Sequence, residues 1–420
     1  MTQRSDGWYI LLTGRSQNSS VPPREEPLRT RSGADHPPTH PRQRSDDIPP
    51  PSAPPHPGTG HGTNKVEVRV QPVQLLDAQG NLRSHPDYPL DVTPELCRTL
   101  YRHMKLARRL DEEALALQRQ GELGLWLQSS GQEAAQVGSI SALRPTDYVF
   151  PSYREHAAAM VRGITPTELL VQWRGNQHSG WSAKRYNFHI CTLVLAAQLP
   201  HAVGYAMGAQ RDGTDEVVTA YFGDGASSEG DASEAFNWAA TTAAPVLFFC
   251  QNNQWAISTP THRQMRTPLH QRAAGFGLAS HLVDGNDVLA VHAVTQHAAE
   301  TVRSGGGPAF IEAMTYRIAG HSTSDDPGRY RSAGEVEDWK SRDPLHRLEL
   351  LLDARGWMDA DFRDSLDREC AALAAETRRS CLELQTPDMT RWFDHVVAEP
   401  GPHLHQQRDR YQELLSSFLD

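Results

Sequence analysis

Residues 217–231, VVTAYFGDGASSEGD, join an apolar run to an acidic turn and then to the start of a helix. The run Val217–Phe222 has the length and composition of a buried strand, and DASEAFNWAATTA (231–243) follows with apolar residues at helical spacing. Two more apolar runs, VLFFC (246–250) and AFIEAM (309–314), are separated by helical patterns. Because strands that alternate with helices are typical of a parallel sheet flanked by helices, we predict an α/β fold.

The composition is that of a soluble globular protein. The 420 residues are 38% hydrophobic and 22% charged, and the formal net charge of −10 argues against a nucleic-acid surface. Apolar runs are too short or too interrupted for a membrane span or a signal peptide, so we expect a cytoplasmic protein. The odd number and wide spacing of the cysteines favour reduced thiols over disulfides or a zinc site: Cys97, Cys191, Cys250, Cys370 and Cys381.

Three segments differ in character. Residues 1–64 contain 12 of the 29 prolines and no lysine, so we predict a disordered tail, either an inert extension or a partner-docking arm. Residues 65–342 hold the strand-like runs and form the predicted α/β domain. It includes the helical pattern ELCRTLYRHMKLARRLDEEALALQRQG (95–121). Residues 343–420 show only charged amphipathic patterns, which predict a helical C-terminal segment.

The acidic turn Gly223–Asp224–Gly225 lies where open α/β sheets bind ligands, at the carboxyl end of a parallel strand. The glycines would let a phosphate approach the main chain. Asp224 would repel that phosphate unless a hard cation such as magnesium lay between them. Taken alone, such a turn is more often an ordinary loop.

A second polar strand end strengthens the magnesium interpretation. The strand VLFFC runs into QNNQWAIST (251–259), which offers amide oxygens at Asn252 and Asn253. The spacing from the acidic turn equals about one strand–helix–strand unit, so both strand ends can reach one metal ion. Without the upstream turn, an asparagine pair of this kind would be read as a helix-capping loop.

Five motifs of the sequence together resemble those of a known family. PSYREH (151–156), FGDGASSEGD (222–231), NNQWAISTPT (252–261), VDGNDV (283–288) and TYRIAGHSTSDD (315–326) resemble the alpha subunit of thiamine diphosphate-dependent branched-chain 2-oxoacid dehydrogenases. The similarity spans roughly residues 70–400. It implies the thiamine diphosphate-binding fold, the cofactors thiamine diphosphate and magnesium, and oxidative decarboxylation of a small-molecule 2-oxoacid.

The resemblance assigns roles residue by residue. It implies that magnesium is bound by Asp224, Asn253 and the main-chain oxygen of Trp255, and that His321 orients the cofactor and assists acyl transfer. The other residues that it places against the cofactor are Tyr153, Arg154, Leu193, Leu195, Gly223, Gly225, Ala226 and Glu229.

At two places the sequence departs from the family pattern. Gln251 stands where an arginine commonly contacts the diphosphate. Leu193, Val194 and Ala197 replace polar or proline residues of a segment that binds potassium in some members, so the resemblance does not decide whether this chain has a potassium site. Ser322 falls where animal relatives are phosphorylated, and the same regulation is not assumed for this chain.

The resemblance also implies partner chains. The glutamate that activates the cofactor belongs to a beta subunit in this family, and the acyl group passes to a lipoyl-bearing acyltransferase component. We therefore expect an alpha2beta2 heterotetramer. The nearest alternative is an alpha subunit of a pyruvate or acetoin dehydrogenase. An alternative of another class is a non-catalytic paralogue that acts as a binding partner; the departures favour it, whereas the intact Asp224, Asn253, Arg154 and His321 oppose it.

Overall fold

The computed structural model describes residues 71–385 and 387–418. The predicted Pro-rich tail, residues 1–64, lies outside them. The strands are β1 (Tyr148–Phe150), β2 (Val218–Gly223), β3 (Val246–Asn252), β4 (Trp255–Ala256), β5 (Thr259–Pro260), β6 (Ala279–Asp284) and β7 (Ala309–Met314).

The strands are joined by helices on both sides. The α-helices of the described residues are α1 (Pro94–Arg119), α2 (Glu133–Ala142), α3 (His156–Val161), α4 (Pro166–Trp173), α5 (Ala183–Tyr186), α6 (Gln198–Asp212), α7 (Gly230–Thr242), α8 (Thr261–Gln264), α9 (Leu269–Gly275), α10 (Val288–Arg303), α11 (Ala333–Lys340), α12 (Pro344–Ala354), α13 (Ala360–Glu383) and α14 (Pro402–Ser416). Three short 3₁₀ helices span Asp224–Ser228, Pro327–Arg329 and Met389–His395.

The main sheet has five parallel strands in the order β1-β2-β3-β7-β6. The crossovers are helical, and this confirms the predicted α/β fold with a parallel sheet flanked by helices. The three predicted strands are β2, β3 and β7. The edge strands β1 and β6 were not predicted, because β1 has only three residues and β6, ASHLVD, mixes polar with apolar residues.

Two hydrophobic cores cover the faces of the sheet. Successive side chains of a strand point to opposite faces. Tyr221 and Phe249 therefore pack with α1, α2 and α10, whereas Phe222 and Phe248 pack with α6, α7 and α9. Every residue of β3 is buried. Since a central parallel strand is covered on both faces, a continuous apolar run is what its position requires.

Helix α1 connects the sheet domain to the C-terminal helices. Its N-cap Thr93 accepts a hydrogen bond from the Leu96 N–H, Pro94 occupies the first turn, and the helix ends just before Gly121 at φ +82°. Helices α12 and α13 pack against α1. The C-terminal segment is helical, as predicted. The predicted domain boundaries stay predictions.

The described residues also bear on two expectations from composition. All five cysteines are free, and four of them are buried. Within residues 71–385 and 387–418, no helix combines the length and the apolar character needed to cross a membrane.

Candidate functional site

A cavity of about 670 Å³ opens at the carboxyl ends of β2 and β3. Parallel pairing aligns these two strand ends, with Gly223 of β2 opposite Gln251 of β3. All of the site residues predicted from the sequence line this one cavity: Tyr153, Arg154, Leu193, Leu195, Gly223, Asp224, Gly225, Ala226, Glu229, Asn253, Trp255 and His321. The individual roles assigned to them stay predictions.

Asp224 is the first residue of the 3₁₀ turn that follows β2, and only 1% of it is exposed. Its Oδ2 accepts hydrogen bonds from Gln264 Nε2 at 2.9 Å and Thr261 Oγ1 at 3.1 Å. Among the described residues no basic side chain lies within ion-pair distance of this carboxylate, and burial raises its pKa. A buried carboxylate without a cationic partner is costly, so the position suits a bound cation.

The segment after β3 bends back toward the acidic turn. Asn253 Oδ1 accepts the Trp255 N–H at 3.3 Å, and Asn253 Nδ2 donates to Gln132 Oε1 at 3.2 Å. Gln254 and Ile257 have φ values of +75° and +52°, a region that costs free energy for a side chain and most of all for a β-branched one. These two residues reverse the chain, and Trp255 between them lines the cavity.

Gly225 fits closely under this segment. A Cβ atom at residue 225 would lie 2.7 Å from the Cβ of Ala256, which is closer than two carbon atoms can approach without a shift. The glycine on the carboxyl side of the acidic turn is therefore required by the contact between the turn and the segment after β3.

The polar atoms of the cavity fit a metal–diphosphate group. A carboxylate, an amide oxygen and a main-chain carbonyl are the hard oxygen ligands that magnesium accepts. Four buried amide atoms on the cavity wall have no hydrogen-bond partner among the described residues: Gln132 Nε2, Gln198 Oε1, Gln251 Oε1 and Gln264 Oε1. Buried polar atoms are normally paired, so these atoms indicate a wall built to face a polar ligand or water.

The described residues contain no group of three or more His, Cys, Asp or Glu side chains that could hold a metal ion. The mixed oxygen set that the resemblance implies, Asp224, Asn253 and the main-chain oxygen of Trp255, contains only one such side chain. Such a set leaves the remaining coordination positions to a ligand and water.

Arg154 and His321 are in direct contact on one side of the cavity. Arg154 Nη1 donates to the Gln128 carbonyl at 2.6 Å, and Nη2 donates to the His321 carbonyl at 2.9 Å. Burial, together with the charges of Arg154 and Arg317, lowers the pKa of His321 to about 4. The imidazole is therefore neutral near pH 7, and it can accept or donate a hydrogen bond.

Arg317 connects the segment after β3 to the His321 loop. It lies in the TYRIAGHSTSDD motif, but no role was predicted for it from the sequence. Its guanidinium donates to the carbonyls of Trp255 at 3.3 Å and Ile257 at 2.7 Å, and to the Tyr330 hydroxyl at 2.8 Å. Tyr330 in turn donates to Asp325, which accepts the His321 N–H. This buried cation positions both sides of the cavity.

The third wall of the cavity is apolar. Leu193 and Leu195 are 48% and 41% exposed, and Ile257, which also lines the cavity, is 56% exposed. Ala196 between this pair and α6 adopts φ +63°. Large apolar side chains that remain exposed at a cavity mouth indicate a surface that a ligand or a partner chain covers.

Thr261, Gln264 and Glu155 are site residues that sequence reasoning missed. Thr261 and Gln264 lie far from Asp224 along the chain and meet it only because α8 folds back. Glu155 directly follows Arg154 in the PSYREH motif, so the sequence itself indicates that it lies near the cavity. The sequence does not indicate its burial or its hydrogen bond from Gln251.

Comparisons with known proteins place the chain among described relatives. The family model for the dehydrogenase E1 component matches residues 101–388. The 3-methyl-2-oxobutanoate dehydrogenase subunit alpha of Mycobacterium tuberculosis (strain ATCC 25618 / H37Rv) is 42% identical over 352 residues, which cover 84% of this chain and 96% of the relative.

Two eukaryotic relatives are more distant. The mitochondrial 2-oxoisovalerate dehydrogenase subunit alpha of Homo sapiens is 36% identical over 82% of this chain and 80% of its own length. The mitochondrial 2-oxoisovalerate dehydrogenase subunit alpha 2 of Arabidopsis thaliana is 35% identical over 83% of this chain and 76% of its own length.

Proposed function

We propose that this chain, which belongs to the dehydrogenase E1 component family, binds the diphosphate of thiamine diphosphate in its cavity through a magnesium ion. The matches confirm the resemblance to branched-chain 2-oxoacid dehydrogenases, and the chain is an alpha subunit of that type. Its reaction is the oxidative decarboxylation of branched-chain 2-oxoacids such as 3-methyl-2-oxobutanoate. The family implies thiamine diphosphate as the cofactor and a beta subunit as the partner.

The buried Asp224 carboxylate carries the magnesium proposal. It lies at the strand end with no basic side chain in ion-pair range among the described residues. Asn253 Oδ1 and the Trp255 carbonyl would complete the protein ligands. Thr261 and Gln264 hold Oδ2 of Asp224, which fixes the orientation of the carboxylate before a metal binds.

The remaining residues bind and orient the cofactor. When bound, thiamine diphosphate supplies the carbon nucleophile that attacks the keto carbon and holds the electrons left by carbon dioxide. The Arg154 guanidinium presents donors to phosphate oxygens, and the backbone N–H groups of Gly225 and Ala226 add to these. Gly223, Glu229 and Tyr153 form the surrounding wall, while Leu193 and Leu195 exclude water from the apolar side.

His321 is the proposed catalytic residue of this chain. Its backbone is held by Arg154 and Asp325, and its ring is neutral near pH 7. A neutral imidazole at this place can hold a proton at one ring nitrogen and accept one at the other while the acyl group leaves.

We further propose that the chain works in an alpha2beta2 heterotetramer in the cytoplasm, and that the acyl group passes to the lipoyl group of an acyltransferase component. The exposed Leu193, Leu195 and Ile257 at the cavity mouth support a covering chain. The five free cysteines are typical of a reducing compartment.

Calorimetric titration of the co-purified alpha and beta chains with thiamine diphosphate tests this function. We expect the affinity for thiamine diphosphate to require magnesium and to fall by orders of magnitude after chelation. The affinity for thiamine, which lacks the diphosphate, should not depend on magnesium. A folded complex that binds no thiamine diphosphate would instead support the non-catalytic paralogue. Comparing 3-methyl-2-oxobutanoate with pyruvate as substrates separates the branched-chain function from the pyruvate or acetoin alternative.

A further inference from the structure

Glu155 and Gln251 form a buried polar pair on the cavity wall. Only 4% of Glu155 and 2% of Gln251 are exposed, and both line the cavity. Glu155 Oε1 accepts Gln251 Nε2 at 2.6 Å, and Oε2 accepts the Ser152 hydroxyl at 2.8 Å and the Arg154 N–H at 3.3 Å. Among the described residues, no basic side chain lies within ion-pair distance of Glu155.

In this arrangement the amide of Gln251 is oriented so that it has no free N–H donor to offer to an anion. Its donor end is used by Glu155, while its acceptor end, Oε1, is buried without a hydrogen-bond partner among the described residues. Gln251 pairs with Gly223, one residue before Asp224, so the amide lies beside the turn proposed to bind the diphosphate. Phosphate oxygens only accept hydrogen bonds unless they are protonated, so Oε1 cannot satisfy them.

A proton on Glu155 would reverse this arrangement. The two ends of a glutamine amide have nearly the same shape, and the hydrogen atoms available decide which end faces a neighbour. A protonated Glu155 would donate its O–H to Gln251 Oε1, and 2.6 Å is an ordinary length for such a bond. Nε2 would then point away from Glu155 and could donate to a diphosphate oxygen.

We propose that Glu155 takes up a proton from solvent when the cofactor binds, and that the Gln251 amide turns over to become a diphosphate donor. This inference rests on the proposed function. The diphosphate drives the uptake, since it stays net negative with one magnesium ion bound and a further negative charge in a buried site makes the ionised form of Glu155 more costly.

Near neutral pH, proton uptake at this position is expected at Glu155 and not at the groups around it. Burial already raises the pKa of Glu155. Its charged or titratable neighbours are Arg154 on the same segment, Cys191 after β1 and Tyr221 of β2. Burial raises the pKa values of Cys191 and Tyr221, and an arginine stays charged, so none of them titrates near neutral pH.

Calorimetry of the alpha–beta complex with thiamine diphosphate and magnesium, in two buffers of different ionisation enthalpy, measures protons taken up per cofactor. We expect the wild-type uptake at neutral pH to exceed that of Glu155→Gln by up to about one proton. Glu113→Gln, a buried glutamate of α1 outside the cavity, should match the wild type. Equal uptake in the wild type and Glu155→Gln would overturn the proposal.

The pH profile of affinity provides a second readout that a structural role would not move. Over the pH range in which Glu155 titrates, lowering the pH by one unit should raise the wild-type affinity for the cofactor by up to about tenfold more than it raises the affinity of Glu155→Gln. Because the new amide at residue 155 can donate permanently to Gln251 Oε1, Glu155→Gln should bind at pH 8 at least as tightly as the wild type. Weaker binding by this variant at every pH would contradict the proposal.

Gln251→Met keeps the test decisive if Glu155→Gln does not fold. It removes both the amide that must turn over and the donor that stabilises ionised Glu155, so Glu155 should already be protonated before the cofactor binds. Affinity should therefore fall about tenfold, and the excess proton uptake should be lost. Unchanged uptake in Gln251→Met would overturn the proposed coupling. A folded complex that binds no thiamine diphosphate in any variant would overturn the proposed function as well.

Discussion

The body and the end of strand β3 differ sharply although they are neighbours in the chain. Residues 246–250 are apolar and fully buried between two layers of helices, whereas Gln251–Asn253 are polar, buried, and in part unpaired among the described residues. The body contributes packing to the fold. The end contributes unsatisfied groups that a ligand can use, so stability and binding are separated within one strand.

The same contrast holds in the surrounding structure. The ring centroids of Phe248 and Phe236 lie 4.9 Å apart in an edge-to-face contact, and Phe236 also contacts Phe310. These contacts give the body of the strand a dense aromatic core. At the cavity, by contrast, Ala196, Gln254 and Ile257 all adopt positive φ. Each such residue costs on the order of 1–3 kcal/mol of conformational free energy, which the packing of the sheet beneath offsets.

The largest effect is expected in the body of the sheet. Phe248→Ala should lower the free energy of unfolding by about 3–5 kcal/mol, because it leaves a cavity among packed aromatic rings. Chemical denaturation of the alpha–beta complex measures this change, and Phe248→Leu should cost less. At a temperature where the variant is folded, its affinity for the cofactor should be close to that of the wild type. A specific loss of binding without loss of stability would break the proposed separation.

Asp224→Ala should have the opposite pattern. Without the anionic ligand, affinity for magnesium and thiamine diphosphate should fall by roughly a hundredfold or more. The unliganded variant should be as stable as the wild type or more stable, since it no longer buries an unpaired carboxylate. Asp224→Asn, which keeps the shape and removes the charge, should behave alike in calorimetry. Unaltered magnesium-dependent binding by a folded Asp224→Ala would contradict the site assignment.

A smaller effect is expected from His321 on changing pH. Its pKa is lowered from 6.5 to about 4, so the unfolded chain takes up this proton first as the pH falls. The contribution of His321 to stability should be complete above pH 6.5 and be lost between pH 6.5 and about 4. NMR of labelled histidine, assigned by comparison with His321→Asn, should give a midpoint near 4, and a midpoint near 6.5 would remove the basis for a neutral catalytic imidazole.

The sequence was sufficient for the parts of the fold whose burial is continuous. The apolar runs of β2, β3 and β7 predicted the centre of the sheet. The edge strands were missed because β1 has only three residues and β6 mixes polar with apolar residues. Motifs located the cavity wall because they cluster at strand ends. The bonds from α8 to Asp224, and the bond between Gln251 and Glu155, depend on how the loops fold back, and local patterns do not contain that information.

The central claim is that this chain anchors the diphosphate but depends on a beta chain for turnover. Its most direct test is decarboxylation of 3-methyl-2-oxobutanoate, followed with an artificial electron acceptor, by the purified alpha chain and by the alpha–beta mixture. With excess thiamine diphosphate and magnesium, we expect no turnover by the alpha chain alone and robust turnover once the cognate beta chain is added. Robust decarboxylation by the beta-free chain would contradict the claim and would require an activating acid within its own 420 residues.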